Sequence, residues 1–266
     1  MKLINLTGNH DIGYSWEVLS KIFEKRILLN LVNFSFNNNA LKLTQGNVGR
    51  WESVFGKTNF DFEVSGHIVA IINSMAIEKT KDSSIQDETW RHIHKLEKIR
   101  IENNRRMIVL THIPLFKDAG SCAGDFPEFE YAKNSNLISS QTLWTNQSTQ
   151  YFLKHLKPIF VFNGHDHSGC IFKHFTFDEN GNVDSETTEV TLRSVMGDYK
   201  GHLGYLEISR SLSENTLWHY NYMETSFVSM QFLTTCVILF FVNIAFICVG
   251  FLVETVLFVV SKFRGN

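Results

Sequence analysis

Three short segments of the chain place a histidine directly after an apolar run. An apolar run that stops at a glycine or a polar residue is typical of a buried strand. Imidazole, carboxamide and carboxylate groups bind metals such as Mn, Fe or Zn, and a histidine can also move a proton. Loops at strand ends are where α/β enzymes collect catalytic groups, so the pattern predicts that these segments share one cleft. The segments are Thr7–Asp11, Thr111–Pro114 and Asn163–His167.

Each of these histidines, considered alone, is adequately explained without any function. A lone histidine at a strand end is more often a hydrogen-bonded core residue or a solvated loop residue. The repetition of the pattern, spread over more than half of the chain, favours a common site instead. Asp166, which separates His165 from His167, is interpreted as a solvated loop carboxylate rather than a ligand.

The three segments, in this order, resemble the calcineurin-like metallophosphoesterases, which are two-metal hydrolases of phosphate esters. The family pattern is Asp-x-His, Gly-Asp-x-x-Asp, Gly-Asn-His-Asp/Glu, a single His, and Gly-His-x-His. This chain carries the last three blocks as Gly8–Asp11, His112 and Gly164–His167, and it begins just before the first of these. The resemblance implies an α/β sandwich of two mixed β-sheets flanked by helices, here without its first strand or strands.

The same resemblance implies a ligand set for two divalent metal ions. One ion would be held by Asn9, His112 and His165, and His167 would contribute to the other. Manganese is the metal that the resemblance implies, with iron or zinc as alternatives. The two missing blocks would have supplied further ligands, including the bridging carboxylate, so we expect this chain alone to bind a dinuclear centre poorly.

His10 and Asp11 are implied to be the catalytic pair. His10 would not bind metal but would protonate the leaving oxygen or hold the phosphate. Asp11 would fix the tautomer of His10 and raise its basicity. Because the dinuclear site is incomplete, we expect the chain as given to be inactive or nearly so.

Within the family, the likeness is greatest to membrane-bound phosphoesterases of the endoplasmic reticulum that remodel glycosylphosphatidylinositol (GPI) anchors. It implies removal of ethanolamine phosphate from an anchor mannose and a role in export of GPI-anchored proteins towards the Golgi. Two alternatives stay open: a membrane-tethered phosphatase or phosphodiesterase acting on another ester, and a non-catalytic member that binds anchored cargo. The likeness is carried by Gly8–Tyr14, Thr111–Phe116, Gly164–Cys170 and Arg193–Tyr199, together with a C-terminal membrane segment.

The membrane segment is an almost continuous apolar run, Phe227–Val260, with no charge between Phe232 and Val253. At about 1.5 Å per residue, this uncharged centre spans the hydrocarbon core of a bilayer. We predict one tilted transmembrane helix, with a buried core helix or a re-entrant hairpin as alternatives. Lys262 and Arg264 follow the run, so the positive-inside rule puts residues 261–266 in the cytosol and the phosphoesterase domain, residues 1–222, in a lumen.

Other features agree with a lumenal domain or exclude other classes. Asn33 and Asn146 lie in glycosylation sequons. Cys122 and Cys170 could form a disulfide in an oxidising lumen, or they could be two free buried cysteines. The net charge of -2 and the absence of a dense basic patch argue against a nucleic-acid partner.

The spacing of apolar residues predicts the elements that must position these groups. Predicted helices cover Trp16–Leu31, Ile85–Glu102 and Gln147–Leu156. Predicted strands include a hairpin of Phe60–Val64 and His67–Ile72, a second hairpin of Cys170–Phe177 and Glu189–Leu192, and the late strands Leu203–Ile208 and Thr216–Tyr222. The poorly patterned stretch Phe116–Ser140 is a candidate lid or substrate-selecting loop.

Overall fold

The computed structural model describes residues 26–29, 43–78, 80, 82–122, 129–131, 138–194, 201–210, 218–226 and 230–264. The helices are α1 (Gln45–Phe55), α2 (Ser83–Asn103), α3 (Asn146–Leu156) and α4 (Met230–Arg264), with a 3₁₀ turn at Ser74–Ala76. The strands are β1 (Arg26–Leu29), β2 (Phe60–Val64), β3 (His67–Ile71), β4 (Met107–Leu110), β5 (Phe129–Tyr131), β6 (Ile138–Gln141), β7 (Phe160–Asn163), β8 (Cys170–Phe177), β9 (Val183–Thr191), β10 (His202–Arg210) and β11 (Trp218–Ser226).

The main sheet has six strands in the order β2-β3-β4-β7-β9-β8. Its four central strands run parallel, and the two edge strands run antiparallel to their neighbours. A second, antiparallel sheet has the order β1-β10-β11, and β5 pairs with β6 in a small hairpin. Two sheets with helices alongside confirm the predicted α/β architecture. The carboxyl ends of β3, β4, β7 and β9 lie along one edge of the sheet. Two of the predicted histidine loops begin at this edge, one after β4 and one after β7.

The main sheet is buried on both faces because its side chains alternate between two apolar clusters. Val109 and Val161 pack on the helix side, together with Phe152 of α3 and Leu96 of α2. Leu110, Phe162 and Val190 point to the other face and pack against Leu206 of the second sheet. The apolar run before His112, Met107–Leu110, forms β4 as predicted, and its near-complete burial explains why it lies at the centre of the main sheet.

A buried histidine joins the two sheets at the end opposite the histidine loops. His67 is fully buried; its Nδ1 donates to the carbonyl of Ser65 at 3.0 Å, and its Nε2 accepts from the Tyr220 hydroxyl at 2.8 Å. Arg106 donates to the same hydroxyl at 2.9 Å. Burial lowers the pKa of His67, the Ser65 carbonyl opposes this, and the Arg106 charge lowers the pKa further. The ring is therefore held neutral between the sheets.

Two local predictions fail where tertiary pairing or weak patterning dominates. Residues Arg26–Leu29, predicted as helix, form β1 instead, because they pair antiparallel with β10 along their whole length. The remainder of that predicted helix, 16–25 and 30–31, lies outside the described residues. Helix α1 was not predicted, since Gly46 and Gly49 dilute its pattern; the Thr44 side chain, which accepts from the Asn47 N–H, was the available signal.

Other elements agree with the sequence. The hairpin β2–β3, the helices α2 and α3, and the strand pair β8–β9 form where the pattern predicted them, although β9 begins earlier, at Val183. The predicted lid loop contains the short strands β5 and β6, while 123–128 and 132–137 lie outside the described residues. In the described part of the chain, one helix meets the length and composition of a membrane span: Thr234–Val256 within α4, with none of its apolar window buried in the protein.

The neutral state of His67 makes stability depend on pH. Its pKa in the folded protein lies below its ordinary value of about 6.5, so the unfolded chain takes up the proton first as pH falls. The contribution of neutral His67 to stability is therefore complete above about pH 6.5 and decreases as pH falls towards the folded pKa. We expect wild type to lose more thermal stability between pH 7.5 and 5 than His67→Gln, followed by tryptophan fluorescence in detergent. Equal losses in both proteins would contradict this assignment.

Candidate metal centre

The loops after β4 and β7 run side by side because the two strands are hydrogen-bonded neighbours. The N–H of Thr111 donates to the Phe162 carbonyl at 2.9 Å, and the N–H of Gly164 donates to the His112 carbonyl at 3.0 Å. This alignment brings His112 and His165 together, with His112 Nε2 3.2 Å from His165 Nδ1. Two histidines that are 53 residues apart in sequence thus meet at the carboxyl edge of the sheet.

Burial lowers the pKa of two of the loop imidazoles and so favours the neutral form, which is the form that binds metal. His112 is only 4% exposed. Burial lowers the pKa of His165, against the opposing effect of a backbone hydrogen bond to Gln141. Burial also lowers the pKa of His167, while the Asp166 charge raises it. Asp166 itself accepts the N–H of Ser168 at 2.9 Å, which fits a carboxylate used to shape the loop.

The donor set fits part of a metal centre. Two imidazole nitrogens that share one ion at about 2.0–2.1 Å are themselves about 3 Å apart, which matches the His112–His165 contact. Among the residues that the structure describes, no group of three or more His, Cys, Asp or Glu side chains is arranged to hold a metal. The predicted ligand Asn9 and the predicted catalytic pair His10 and Asp11 lie outside those residues.

Ser74 fixes the backbone of the first histidine loop. Its hydroxyl, almost fully buried, accepts the N–H of His112 at 3.0 Å and that of Ile113 at 2.8 Å. Ser74 begins the 3₁₀ turn directly after β3, so the end of one strand anchors the loop of the next. Sequence reasoning used this residue only to end a strand. A small polar residue directly after a buried parallel strand was the signal available.

Glu189, in β9, forms hydrogen bonds to the segments that flank both His112 and His165. The residue is completely buried. One carboxylate oxygen accepts the N–H of Leu115 at 2.9 Å and the side-chain amide of Asn163 at 2.6 Å. The other accepts Lys117 Nζ and His174 Nε2, both at 2.7 Å. Leu115 lies three residues after His112, and Asn163 lies two residues before His165, so one carboxylate holds the flanks of both metal loops.

The partners of Glu189 stabilise its charge. Burial by itself would raise the pKa of Glu189, but the hydrogen bond from His174 and the charge of Lys117 outweigh it and lower the pKa. Lys117 is itself 6% exposed, so a complete ion pair lies inside the domain. Sequence reasoning interpreted Glu189 only as the start of a strand. A carboxylate directly before the apolar-rich Val190–Leu192 was the signal of a buried, paired charge.

Residues 1–169 match the family model described as calcineurin-like phosphoesterase. The chain belongs to this family. The chain is 25% identical over 227 residues to Protein TED1 of Saccharomyces cerevisiae, covering 76% of this chain and 42% of the relative. It is 27% identical over 229 residues to an uncharacterized protein of Schizosaccharomyces pombe, covering 76% and 44%. It is 25% identical over 179 residues to Metallophosphoesterase 1 homolog of Caenorhabditis elegans, covering 64% and 39%. The chain thus spans about two fifths of the length of these curated relatives.

Family membership gives the histidine pair its chemical meaning. Calcineurin-like phosphoesterases are generally dinuclear-metal enzymes, and two neutral imidazoles at a strand edge are ligands of the expected kind. When bound, the metal ions supply a water nucleophile and neutralise charge on the phosphoryl oxygens. Within the described residues, Ser74 and Glu189 hold the two histidine loops through hydrogen bonds.

A disulfide closes the segment between the two loops. Cys122 and Cys170 are bonded, with their Cα atoms 5.9 Å apart and a separation of 48 positions in sequence. The sequence left open whether these two cysteines are free or bonded, and in the structure they form a disulfide. Cys170 begins β8 directly after the Gly-His-x-His loop, so the bond ties this loop to the segment that follows His112. Of the glycosylation candidates, Asn146 is exposed at the start of α3, and Asn33 lies outside the described residues.

The paired histidines should bind Mn²⁺ directly. We expect His112→Ala and His165→Ala each to weaken Mn²⁺ binding, measured by calorimetry, by more than the roughly 10- to 100-fold typical of outer-shell partners. His219→Ala, which removes an exposed histidine of β11, is the matched control and should leave the affinity unchanged. Equal Mn²⁺ affinity in His112→Ala and in the control would remove His112 from the ligand set.

Loss of the Glu189 charge should destabilise the folded domain and weaken the attachment of the His112 and His165 loops. Glu189→Gln leaves Lys117 buried without its counter-charge, and breaking a buried pair costs about 3–5 kcal/mol. Glu186, in the same strand as Glu189, forms an exposed ion pair with Lys173 of β8. Glu186→Gln should therefore lower the free energy of unfolding by only about 0–1 kcal/mol. Urea unfolding in detergent measures both changes. A loss in Glu189→Gln no larger than in Glu186→Gln would show that the buried network is not a structural anchor.

Proposed function

We propose that this chain forms part of a metal-dependent phosphoesterase of the early secretory pathway that removes ethanolamine phosphate from GPI-anchor glycans. The observation that carries the proposal is a close pair of imidazoles in a member of the calcineurin-like phosphoesterase family that also has an apolar helix long enough to cross a membrane. Manganese is the proposed metal. Asn9 and His167 are proposed to complete the ligand set, with His10 and Asp11 as the catalytic pair.

The connection between the site and the membrane helix supports a membrane-anchored substrate. The N–H of Ser194 donates to the His167 carbonyl at 3.2 Å, and the N–H of His202 donates to the Ser194 carbonyl at 3.0 Å. His202 in turn pairs with Ser226, the last residue of β11. Strand β11 therefore ends at the edge that carries the histidines.

The chain has little room to leave that edge before α4 begins. Met230, the first residue of α4, follows Ser226 by four positions, which span at most roughly 14 Å when extended. If Thr234–Val256 crosses a bilayer, the histidine loops lie near its surface. A phosphoester on a lipid-linked glycan is then within reach, whereas access for a large soluble substrate is restricted by the nearby bilayer.

The orientation and location follow from charge and family likeness. Lys262 and Arg264 are the basic residues that follow the membrane segment, so we propose a cytosolic tail at 261–266 and a lumenal phosphoesterase domain within 1–222. The Cys122–Cys170 bond is the form expected in an oxidising lumen. On this basis we place the enzyme in the membrane of the endoplasmic reticulum, where it would aid export of GPI-anchored proteins.

The test uses a polypeptide that joins this chain to the Asp-x-His and Gly-Asp-x-x-Asp blocks of the family pattern, reconstituted in liposomes with Mn²⁺. We expect release of ethanolamine phosphate from a GPI glycolipid. His10→Ala should lower the rate by about 10²- to 10⁴-fold, the usual contribution of a general acid, while the Mn²⁺ content stays the same. Loss of metal together with activity would make His10 a ligand instead.

The other outcomes separate the competing functions. Hydrolysis of a chromogenic phosphodiester without release from the glycolipid would assign the enzyme to another ester. Retention of GPI-anchored protein with no hydrolysis of either substrate would assign it to the non-catalytic, cargo-binding class.

A further inference from the structure

Arg193 is a cation held beside the histidine loop but only partly used within the protein. Its Nε donates to the carbonyl of Ser168, directly after His167, at 3.2 Å. Its side chain is 54% exposed. In the described part of the chain, neither terminal amino group of the guanidinium has a hydrogen-bond acceptor. One N–H therefore fixes the guanidinium, and among the described residues nothing competes with a ligand for the two amino groups.

The backbone around Arg193 is attached to the same loop on both sides. The N–H of Leu192 donates to the Asn163 carbonyl at 2.8 Å, and the N–H of Ser194 donates to the His167 carbonyl at 3.2 Å. Arg193 thus lies between two residues that are hydrogen-bonded to the first and to the fifth residue of the Asn163–Ser168 segment. Its position relative to His165 and His167 is set by backbone hydrogen bonds rather than by a flexible side chain alone.

Gly169 leaves the space that the Arg193 side chain occupies. A Cβ atom at this position would lie 2.5 Å from Arg193 Cγ and 3.1 Å from the Thr191 carbonyl oxygen. The backbone of Gly169 also has a φ of +74°, which favours glycine. Any larger residue at position 169 would push the arginine away from the loop, so the glycine and the arginine form one local arrangement.

Among the described residues, Glu224 is the acid that contacts Arg193, and it does not neutralise this cation fully. Glu224 Oε1 lies 4.0 Å from Arg193 Nε but 2.7 Å from His202 Nδ1. The other oxygen of Glu224 accepts the Tyr222 hydroxyl at 3.4 Å. Burial raises the pKa of Tyr222, and Glu224 raises it further, so this hydroxyl remains a donor. Glu224 also contacts His202 and Tyr222, so it compensates the positive charge of Arg193 only in part. The remaining positive charge can attract an external anion.

We propose that Arg193 binds a phosphate oxyanion at the side of the metal centre that faces the membrane helix. The planar guanidinium fork matches phosphate oxygens in pairs, which an ammonium group cannot do. The membrane-facing position follows from Glu224, which lies two residues before the end of β11. The phosphate is either that of the scissile ester or that of a neighbouring lipid head group. The inference rests on the proposed function, since it assigns a substrate-side residue to that same site.

The test measures binding of inorganic phosphate to the Mn²⁺-treated chain in dodecyl maltoside, a detergent without phosphate, by calorimetry. We expect Arg193→Gln to weaken phosphate binding about 10- to 100-fold, the loss typical of a hydrogen bond to a charged group. Arg193→Lys should give an intermediate affinity because it keeps the charge but loses the fork. Arg91→Gln, the same substitution at an exposed position of α2, should bind as wild type does.

A second arm identifies the source of the phosphate. In phosphatidylcholine nanodiscs, a lipid head group at Arg193 would compete with inorganic phosphate and abolish the difference between wild type and Arg193→Gln. A site for the scissile ester would stay open, and the difference would persist. Either result supports the proposal and selects one source.

The proposal is overturned if Arg193→Gln binds phosphate as tightly as wild type in detergent, or if wild type binds none. Circular dichroism of Arg193→Gln, Arg193→Lys and Arg91→Gln verifies that the variants are folded. The Mn²⁺ content is determined separately: a wild-type chain that binds phosphate through Arg193 but no Mn²⁺ would count against the proposed function and not against this inference.

Discussion

The parallel alignment of β4 and β7 is the constraint on which the rest of the structure depends. Each strand is too short and too apolar to be stable except inside a sheet that is covered on both faces. Their register pairs Leu110 with Phe162, which fixes the positions of the loops that follow them. A shift of one residue would turn the core side chains to the wrong faces and separate His112 from His165. Core packing and site geometry are therefore the same requirement.

The buried charge of Glu189 is understandable on this basis. Placing a carboxylate and an ammonium in a domain interior is unfavourable unless every oxygen and donor is paired. An apolar side chain at this position would pack well but could not accept the N–H of Leu115 or the amide of Asn163. The network adds no obvious chemistry of its own. It holds the two loops at one separation, and Ser74 does the same for the backbone of His112.

Much of the framework was accessible from sequence, because the relevant signals are local. Alternation and apolar runs identified β2, β3, β4 and β7, and helical spacing identified α2 and α3. Family likeness put His112 and His165 in one site, and the structure brings them into contact. The signals failed where a distant partner decides the outcome. Arg26–Leu29 has a helical pattern but forms a strand because β10 offers its edge.

The residues that position the site were the hardest to predict. The local signals at Glu189 and Ser74 are weak, and they acquire a meaning only when Leu115, Asn163 and His112 are known to lie beside these residues. Arg193 is similar: its proximity to Ser168 depends on the pairing of β9 with β7. Long-range contacts of this kind are the information that periodicity and propensity do not contain.

The central claim is that His112 and His165 share one metal ion. Pulsed electron paramagnetic resonance of Mn²⁺ bound to the ¹⁵N-histidine-labelled chain tests it most directly, because directly bound imidazole nitrogens modulate the Mn²⁺ signal. We expect nitrogen couplings from two histidines, with one lost in His112→Ala and the other in His165→Ala. A bound Mn²⁺ without nitrogen couplings, or with couplings unchanged in both variants, would contradict it.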